Sequence, residues 1–258
     1  MSKEINKKTN MVRRDDIVNF CKEFLNTENF QDYYINGLQV EGAKNVSKIV
    51  TGVTWCQELF DYAIDTKAEM VLVHHGIYKE EIGELPAIKG YVKGRLLQLL
   101  KNDISLCGFH LPLDAHPKIG NNAIICDLLE IKDRVPCSFG FVGNLKKACT
   151  VVEFKKYIKS KLGLDAKILK NNSSKVLRIG VISGSSSSLF TKAAPFGIDS
   201  FICGDIHEGA VRAAEEMEIN LIGLGHYNSE TFGIKRLGEE VAKKFNIEAK
   251  FFDVPNEF

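Results

Sequence analysis

Short, almost wholly apolar runs alternate with helix-patterned segments along most of this chain, and that alternation leaves few folds open. "KIVTGVT" (48–54), "MVLVHH" (70–75) and "ISLCGFH" (104–110) read as buried strands, with helices expected over 57–68, 89–102 and 121–131. A second series follows after about residue 133: "SFGFVGNL", a helix, "KVLRIGVISG", a helix from about 187, "SFICGD", a helix from about 208, "NLIGLGH", a helix over 229–245 and "AKFFDVP". Thr150 and Glu153 form the S/T-x-x-E pattern of a capping box, which marks where the first of these helices begins. Strands this apolar, alternating with helices, indicate βαβ units and mostly parallel sheets covered on both faces. Ahead of them, Ile17, Phe20, Cys21, Phe24 and Leu25 form one stripe of an amphipathic helix, and "NGLQVEG" (36–42) reads as a turn-rich link. The expected fold class is α/β with two packed halves: a flexible tail at 1–11, a first half at 12–132 and a second at 133–258, the last strand and helix being able to return to the first half. Weak similarity between strand ends in the halves hints at duplication.

Composition narrows the partners. With 34 Lys and Arg against 33 Asp and Glu, the net charge of +1 provides no general field for nucleic acid or an anionic membrane. A small molecule or another protein is the expected partner. The cysteines number seven, include no CxxC pair and sit mostly in apolar runs such as "ISLCGF" and "AIICDLL". That is the pattern of buried, reduced thiols rather than a disulfide framework or a thiolate zinc site, and it implies a cytoplasmic location. "MSKEINKKTNMVRR" lacks an apolar core for a signal peptide, and no run approaches the roughly 18 apolar residues of a membrane span.

Histidine is scarce, with six copies, yet five of them fall at or just beyond the carboxyl ends of apolar strands. In open α/β sheets that is where ligands bind. His74 and His75 end one strand, His110 ends another, His207 follows "FICGD" and His226 ends "NLIGLGH", while His116 lies in a loop. "HLPLD" places Asp114 four residues after His110, and "HYNSE" places Glu230 four residues after His226 at a helix entrance. Four imidazoles and two carboxylates make the mixed nitrogen and oxygen set that suits zinc, iron, manganese or nickel. Adjacent side chains leave a strand on opposite sides, so the doublet suits two neighbouring ions better than one, with a carboxylate such as Glu230 as bridge. The candidate ligands are His74, His75, Asp114, His226 and Glu230. His110 is either a further ligand or a residue that orients Asp114, and His116 and His207 are set aside as loop or helix-entry residues.

These segments, "NGLQVEG", "MVLVHHG", "GFHLPLDAHPKIGNN" and "GLGHYNSE", resemble the Nif-three-like dinuclear-metal family, also catalogued as GTP cyclohydrolase I type 2 homologues, in its short bacterial form. The resemblance runs from about residue 12 to the end. It implies a two-domain protomer in a ring-shaped homohexamer, a ring of dimers, with two divalent metal ions per chain held by His74, His75, Asp114, His226 and Glu230. On this reading His74 and Asp114 serve one ion and His75 and His226 the other. The extra middle domain of longer members does not fit between residues 133 and 175.

Two functional classes follow. One is a metal-dependent hydrolase of a nucleotide or related phosphorylated compound, either opening the purine ring of GTP by attack of metal-activated water or cleaving a phosphoester. The other is non-enzymatic: a metal carrier, or a regulatory or structural hexamer. "GVISGSSSSLF" (180–190) either offers backbone N–H groups to an anion or is a turn with Ser186 or Ser187 as helix N-cap.

Overall fold

The structure is a computed structural model that describes residues 10–77, 88–169 and 175–256. The first part of the chain forms β1 (Val12–Arg13), α1 (Arg14–Leu25), β2 (Gly37–Val40), β3 (Asn45–Val46), β4 (Lys48–Thr54), α2 (Gln57–Asp65), β5 (Met70–His75), α3 (Gly90–Lys101) and β6 (Ser105–Gly108). There follow α4 (Leu111–Asp114), α5 (Asn121–Leu128), β7 (Lys132–Cys137), β8 (Gly140–Thr150), α6 (Val151–Leu162), β9 (Lys167–Leu169) and β10 (Lys175–Val181). The chain continues through α7 (Phe190–Ala193), β11 (Ser200–Cys203), α8 (Glu208–Glu216), β12 (Asn220–Gly223), α9 (His226–Phe245) and β13 (Glu248–Phe251). Two compact units result. One comprises the residues up to Pro112 with Ile234–Val254, the other chiefly Leu113–Gly233.

The first unit holds a five-stranded sheet in the order β13-β4-β5-β6-β2. Its first four strands run parallel, and β2 closes the edge antiparallel to β6, with Gly37 opposite Gly108 and Leu38 opposite Cys107. The "NGLQVEG" stretch is therefore largely an edge strand rather than a link. Val71 and Val73 point to the face covered by α2 and α3, where they meet Leu59, Phe60 and Leu99. Across β4, Gly238 of α9 allows close helix approach, since a Cβ there would lie 2.7 Å from Thr51 Cγ2. The flexible tail expected at 1–11 lies outside the described residues as far as residue 9. Asn10 already donates its N–H to Asn246 O at 3.2 Å, and Val12–Arg13 pair with β3.

The second unit holds a six-stranded sheet in the order β7-β8-β10-β11-β12-β9. Its centre, β10-β11-β12, is parallel, and its flanks are antiparallel. The unit begins about twenty residues before the expected boundary at 132/133. The reason is apolar packing: Ile125 and Cys126 of α5, with Leu129 and Ile131, share one core with Phe154 and Ile158 of α6 and with Ile179, Ile202 and Ile222. Helix α6 starts at the expected capping box, in which Thr150 Oγ1 accepts the N–H of Glu153 and the Glu153 carboxylate accepts the N–H of Thr150. At the other boundary, β13 pairs in parallel with β4, which returns the last strand to the first unit. All seven cysteines are free thiols and five are buried. Among the described residues no helix is long and apolar enough to cross a membrane.

Candidate functional site

In the first unit the strand ends assemble an imidazole cluster. Pairing between β5 and β6 stops at Val73 and Gly108, so His74 and His75 project past β6. Although they leave the strand on opposite sides, their rings lean together past the end of β6, with centroids 4.7 Å apart, and His110 lies 5.0 Å from His74. One ring nitrogen from each of His74, His75 and His110 falls within 4.8 Å of the others. The separation inferred from strand geometry is thus lost at the strand end.

The other ring nitrogens are held from behind. His74 Nδ1 donates to Phe109 O at 3.0 Å, because a carbonyl only accepts, so in the neutral ring Nε2 carries the lone pair. His110 Nδ1 donates to both carboxylate oxygens of Asp32, at 3.0 and 3.2 Å, and His75 Nδ1 is hydrogen-bonded to Thr54 Oγ1 at 3.1 Å. A partner on Nδ1 that fixes ring and tautomer is what metal-ligating histidines require. The donor set therefore suits a divalent cation. Burial is the largest single influence and acts to raise the Asp32 pKa, but His110, Asn36 and the Tyr34 N–H together outweigh it and hold the carboxyl well below the usual range. The glycine after the doublet has a physical reason as well. Gln39 Oε1 accepts the N–H of Ile77 at 2.8 Å, and a Cβ on Gly76 would collide with that amide.

In the second unit the carboxyl ends of β10, β11 and β12 gather the acids. Asp114, at the end of α4, accepts from Asn121 Nδ2 at 2.8 Å and from Ser183 Oγ at 3.1 Å. Glu230, one turn into α9, lies 3.2 Å from His226 Nε2, and a carboxylate oxygen of Asp114 and one of Glu230 lie within 4.8 Å of each other. His226 Nδ1 donates to Asp205 Oδ2 at 2.6 Å. Burial alone would lower the His226 pKa, but Glu230 and then Asp205 raise it to about 9. The imidazole thus carries a proton between two carboxylates, at a place where a divalent cation could substitute for it. Gly184, at φ +68°, has no room for a Cβ, which would fall on Glu230 Oε1.

The Gly/Ser loop is more occupied than its sequence suggests. The N–H groups of Ser183, Gly184 and Ser186 already bond Asn122 Oδ1, Ser229 Oγ and Gly184 O. Ser186 Oγ donates to Ile182 O and Ser187 Oγ accepts the His207 N–H, so neither caps a helix through its side chain. His116 Nδ1 accepts the N–H groups of Lys118 and Ile119 within a loop, while His207 Nε2 lies 2.5 Å from Ser185 Oγ. His110 pairs through Nδ1 with Asp32 rather than orienting Asp114 by that nitrogen. The sequence reading missed Asp32 and Asp205. Asp205 ends "FICGD", so extending the strand-end rule from histidines to carboxylates finds it; Asp32, in a loop ahead of β2, carries no such signal.

The profile of the family described as Duf34/NIF3 (NGG1p interacting factor 3) matches residues 12–257. A protein of Pasteurella multocida (strain Pm70) named GTP cyclohydrolase 1 type 2 homolog is 40% identical over 238 residues, which cover 90% of this chain and 94% of that one. Its namesake in Escherichia coli (strain K12) is 37% identical over 252 residues, covering 95% and 99%. Among solved structures, protein ybgI, of unknown function, superposes with a TM-score of 0.90 at 36% identity, over 96% of this chain and all of that one. TTHA1606 from Thermus thermophilus gives 0.88 at 29% identity, with the same shares covered.

Proposed function

The chain belongs to the Duf34/NIF3 family, and from that premise we propose that it binds two divalent metal ions and hydrolyses a nucleotide or related phosphorylated compound. The observation that carries this reading is the cluster of His74, His75 and His110, three imidazoles whose donor atoms lie within 4.8 Å of one another at the ends of adjacent strands. His74, His75, Asp114, His226 and Glu230 are the proposed ligands, on the strength of the family motif positions, with Glu230 as the bridge and His110 as an additional ligand beside His74 and His75. Two cations so held would acidify water and attract an oxygen-rich substrate. The protein's own groups do the rest. Phe109 O and Asp32 keep His74 and His110 in one tautomer, while Asp205 holds the ring of His226. The relatives named GTP cyclohydrolase 1 type 2 homolog make GTP the first substrate to try. The proposed assembly is a homohexamer, which light scattering should report as about six times 28.8 kDa; a monomer at micromolar concentration refutes it.

The test is elemental analysis of chelator-free protein, followed by turnover of GTP, other nucleotides and phosphoesters by the wild type and by Glu230→Gln. The amide keeps the volume of the carboxylate but bridges cations poorly. The variant should lose metal and turnover while staying folded. Only trace metal in the wild type sinks the metal reading, whereas stoichiometric metal with no turnover across the panel leaves a carrier or structural centre.

A further inference from the structure

Tyr33 stands out against its surroundings. Its residue is 52% exposed, while Tyr34 next to it is 5% exposed. The Tyr33 ring meets His110 edge-on at 5.0 Å and Tyr34 at 5.1 Å. Tyr34 in turn stacks on His75 at 5.8 Å with an interplanar angle of 26°, and meets His110 at 4.5 Å. A continuous aromatic surface thus runs from the solvent to two imidazoles of the metal-candidate cluster, and Tyr33 is its solvent-exposed member.

The loop that presents Tyr33 is pinned on both sides. Asp32 accepts the N–H groups of Tyr34 and Leu111 and the Nδ1–H of His110, and Asn36 Oδ1 accepts the His110 N–H at 2.8 Å. The backbone that carries Tyr33 is therefore held in place relative to the imidazoles before any ligand arrives, which lowers the ordering cost to be met on binding. Such a platform suits a flat aromatic ring, because aromatic stacking favours large planar partners over sugars or phosphates.

We propose that Tyr33 is the stacking platform for the nucleobase of a nucleotide whose phosphate-bearing end faces the metal ligands. This deepens the hydrolase reading above in its phosphoester-cleaving form and rests on it for the orientation of the substrate. The base contact itself needs no metal.

The experiment is calorimetric binding of GTP, guanosine and ribose 5-phosphate to metal-quantified full-length wild type, Tyr33→Ala and Tyr33→Phe. Tyr33→Ala should weaken GTP and guanosine by about 5- to 100-fold, the range of a lost base–aromatic stack. Ribose 5-phosphate should be unchanged, and Tyr33→Phe should stay within about threefold of wild type, since it keeps the ring. Three results would overturn the assignment: GTP binding unaffected in Tyr33→Ala, ribose 5-phosphate weakened as much as GTP, or a wild type that binds neither guanosine nor GTP. Metal content of the same samples separates the two ideas. A wild type without metal that still binds guanosine through Tyr33 defeats the metal reading and leaves the platform standing.

Discussion

Asp32 gives the sharpest test of how the imidazole cluster is built. Its side chain is 1% exposed and accepts from four donors: the Tyr34 N–H, Asn36 Nδ2, the Leu111 N–H and His110 Nδ1, each at 3.0 Å by its shorter contact. Asp32→Ala leaves all four without this acceptor. An unsatisfied buried donor costs about 1–3 kcal/mol, but the four share one small cavity that a water could partly fill, so the expected total is about 3–5 kcal/mol. Asp32→Asn retains one acceptor oxygen but turns an NH₂ toward existing donors, for about 2–3 kcal/mol. Urea unfolding at constant m-value measures both. The acid limb supplies a second readout. The folded pKa of Asp32 is depressed, so its contribution is present above the unfolded value of about 3.9 and is lost as pH falls through the folded pKa. Asp32→Asn should flatten that part of the profile. Metal affinity should also fall by about 10- to 100-fold, because His110 loses the partner that orients it. An Asp32→Ala protein within about 0.5 kcal/mol of wild type would show that the carboxylate does not organise this loop.

Three further outcomes follow from particular contacts. Gly184→Ala forces a side chain into left-handed backbone, at about 1–2 kcal/mol, and onto Glu230 Oε1, so metal content should drop with the fold intact; unchanged metal would show that Glu230 yields freely. Burial pushes Cys107, Cys126 and Cys203 up to about 12, so at pH 8 roughly one thiol in ten thousand is thiolate, and all three should resist a disulfide reagent until guanidinium unfolds the chain. His116→Ala removes an acceptor for two loop N–H groups and should cost about 1–2 kcal/mol while leaving metal content at the wild-type level.

What the sequence made legible depends on how strongly each residue's surroundings constrain its type. Strands β4 and β5 coincide with the apolar runs that suggested them, because a parallel strand covered on both faces admits little but Val, Ile and Leu. Edge strands carry no such mark. β7 is mostly solvent-exposed and contains Pro136, and β9 has three residues, so neither produces a continuous apolar pattern. The unit boundary was hidden for a related reason: helical periodicity reveals that α5 has an apolar face but not which sheet receives it. At the site, histidines at strand ends were conspicuous by type and place. Asp32 was not, since its role arises from a loop returning 78 residues away in sequence to meet His110.

The two carboxylates behind the imidazoles differ in one respect that separates their roles. Asp32, with its side chain 1% exposed, acts on His110 from within the protein, while Asp205, 29% exposed, acts on His226 at the edge of solvent. Salt screens the second far more than the first, because mobile ions approach an exposed carboxylate within a Debye length of about 8–10 Å but cannot enter a buried one. Raising ionic strength should therefore loosen His226 while His110 keeps its orientation. Each backing residue then has its own signature in metal titrations. Asp32→Asn should weaken binding by a similar factor at low and high salt. Asp205→Asn should weaken it most at low salt, and its curve should converge on that of the wild type as salt rises. Equal salt slopes for wild type and Asp205→Asn would mean that Asp205 holds the ring by its hydrogen bond alone, with its charge contributing nothing to cation binding.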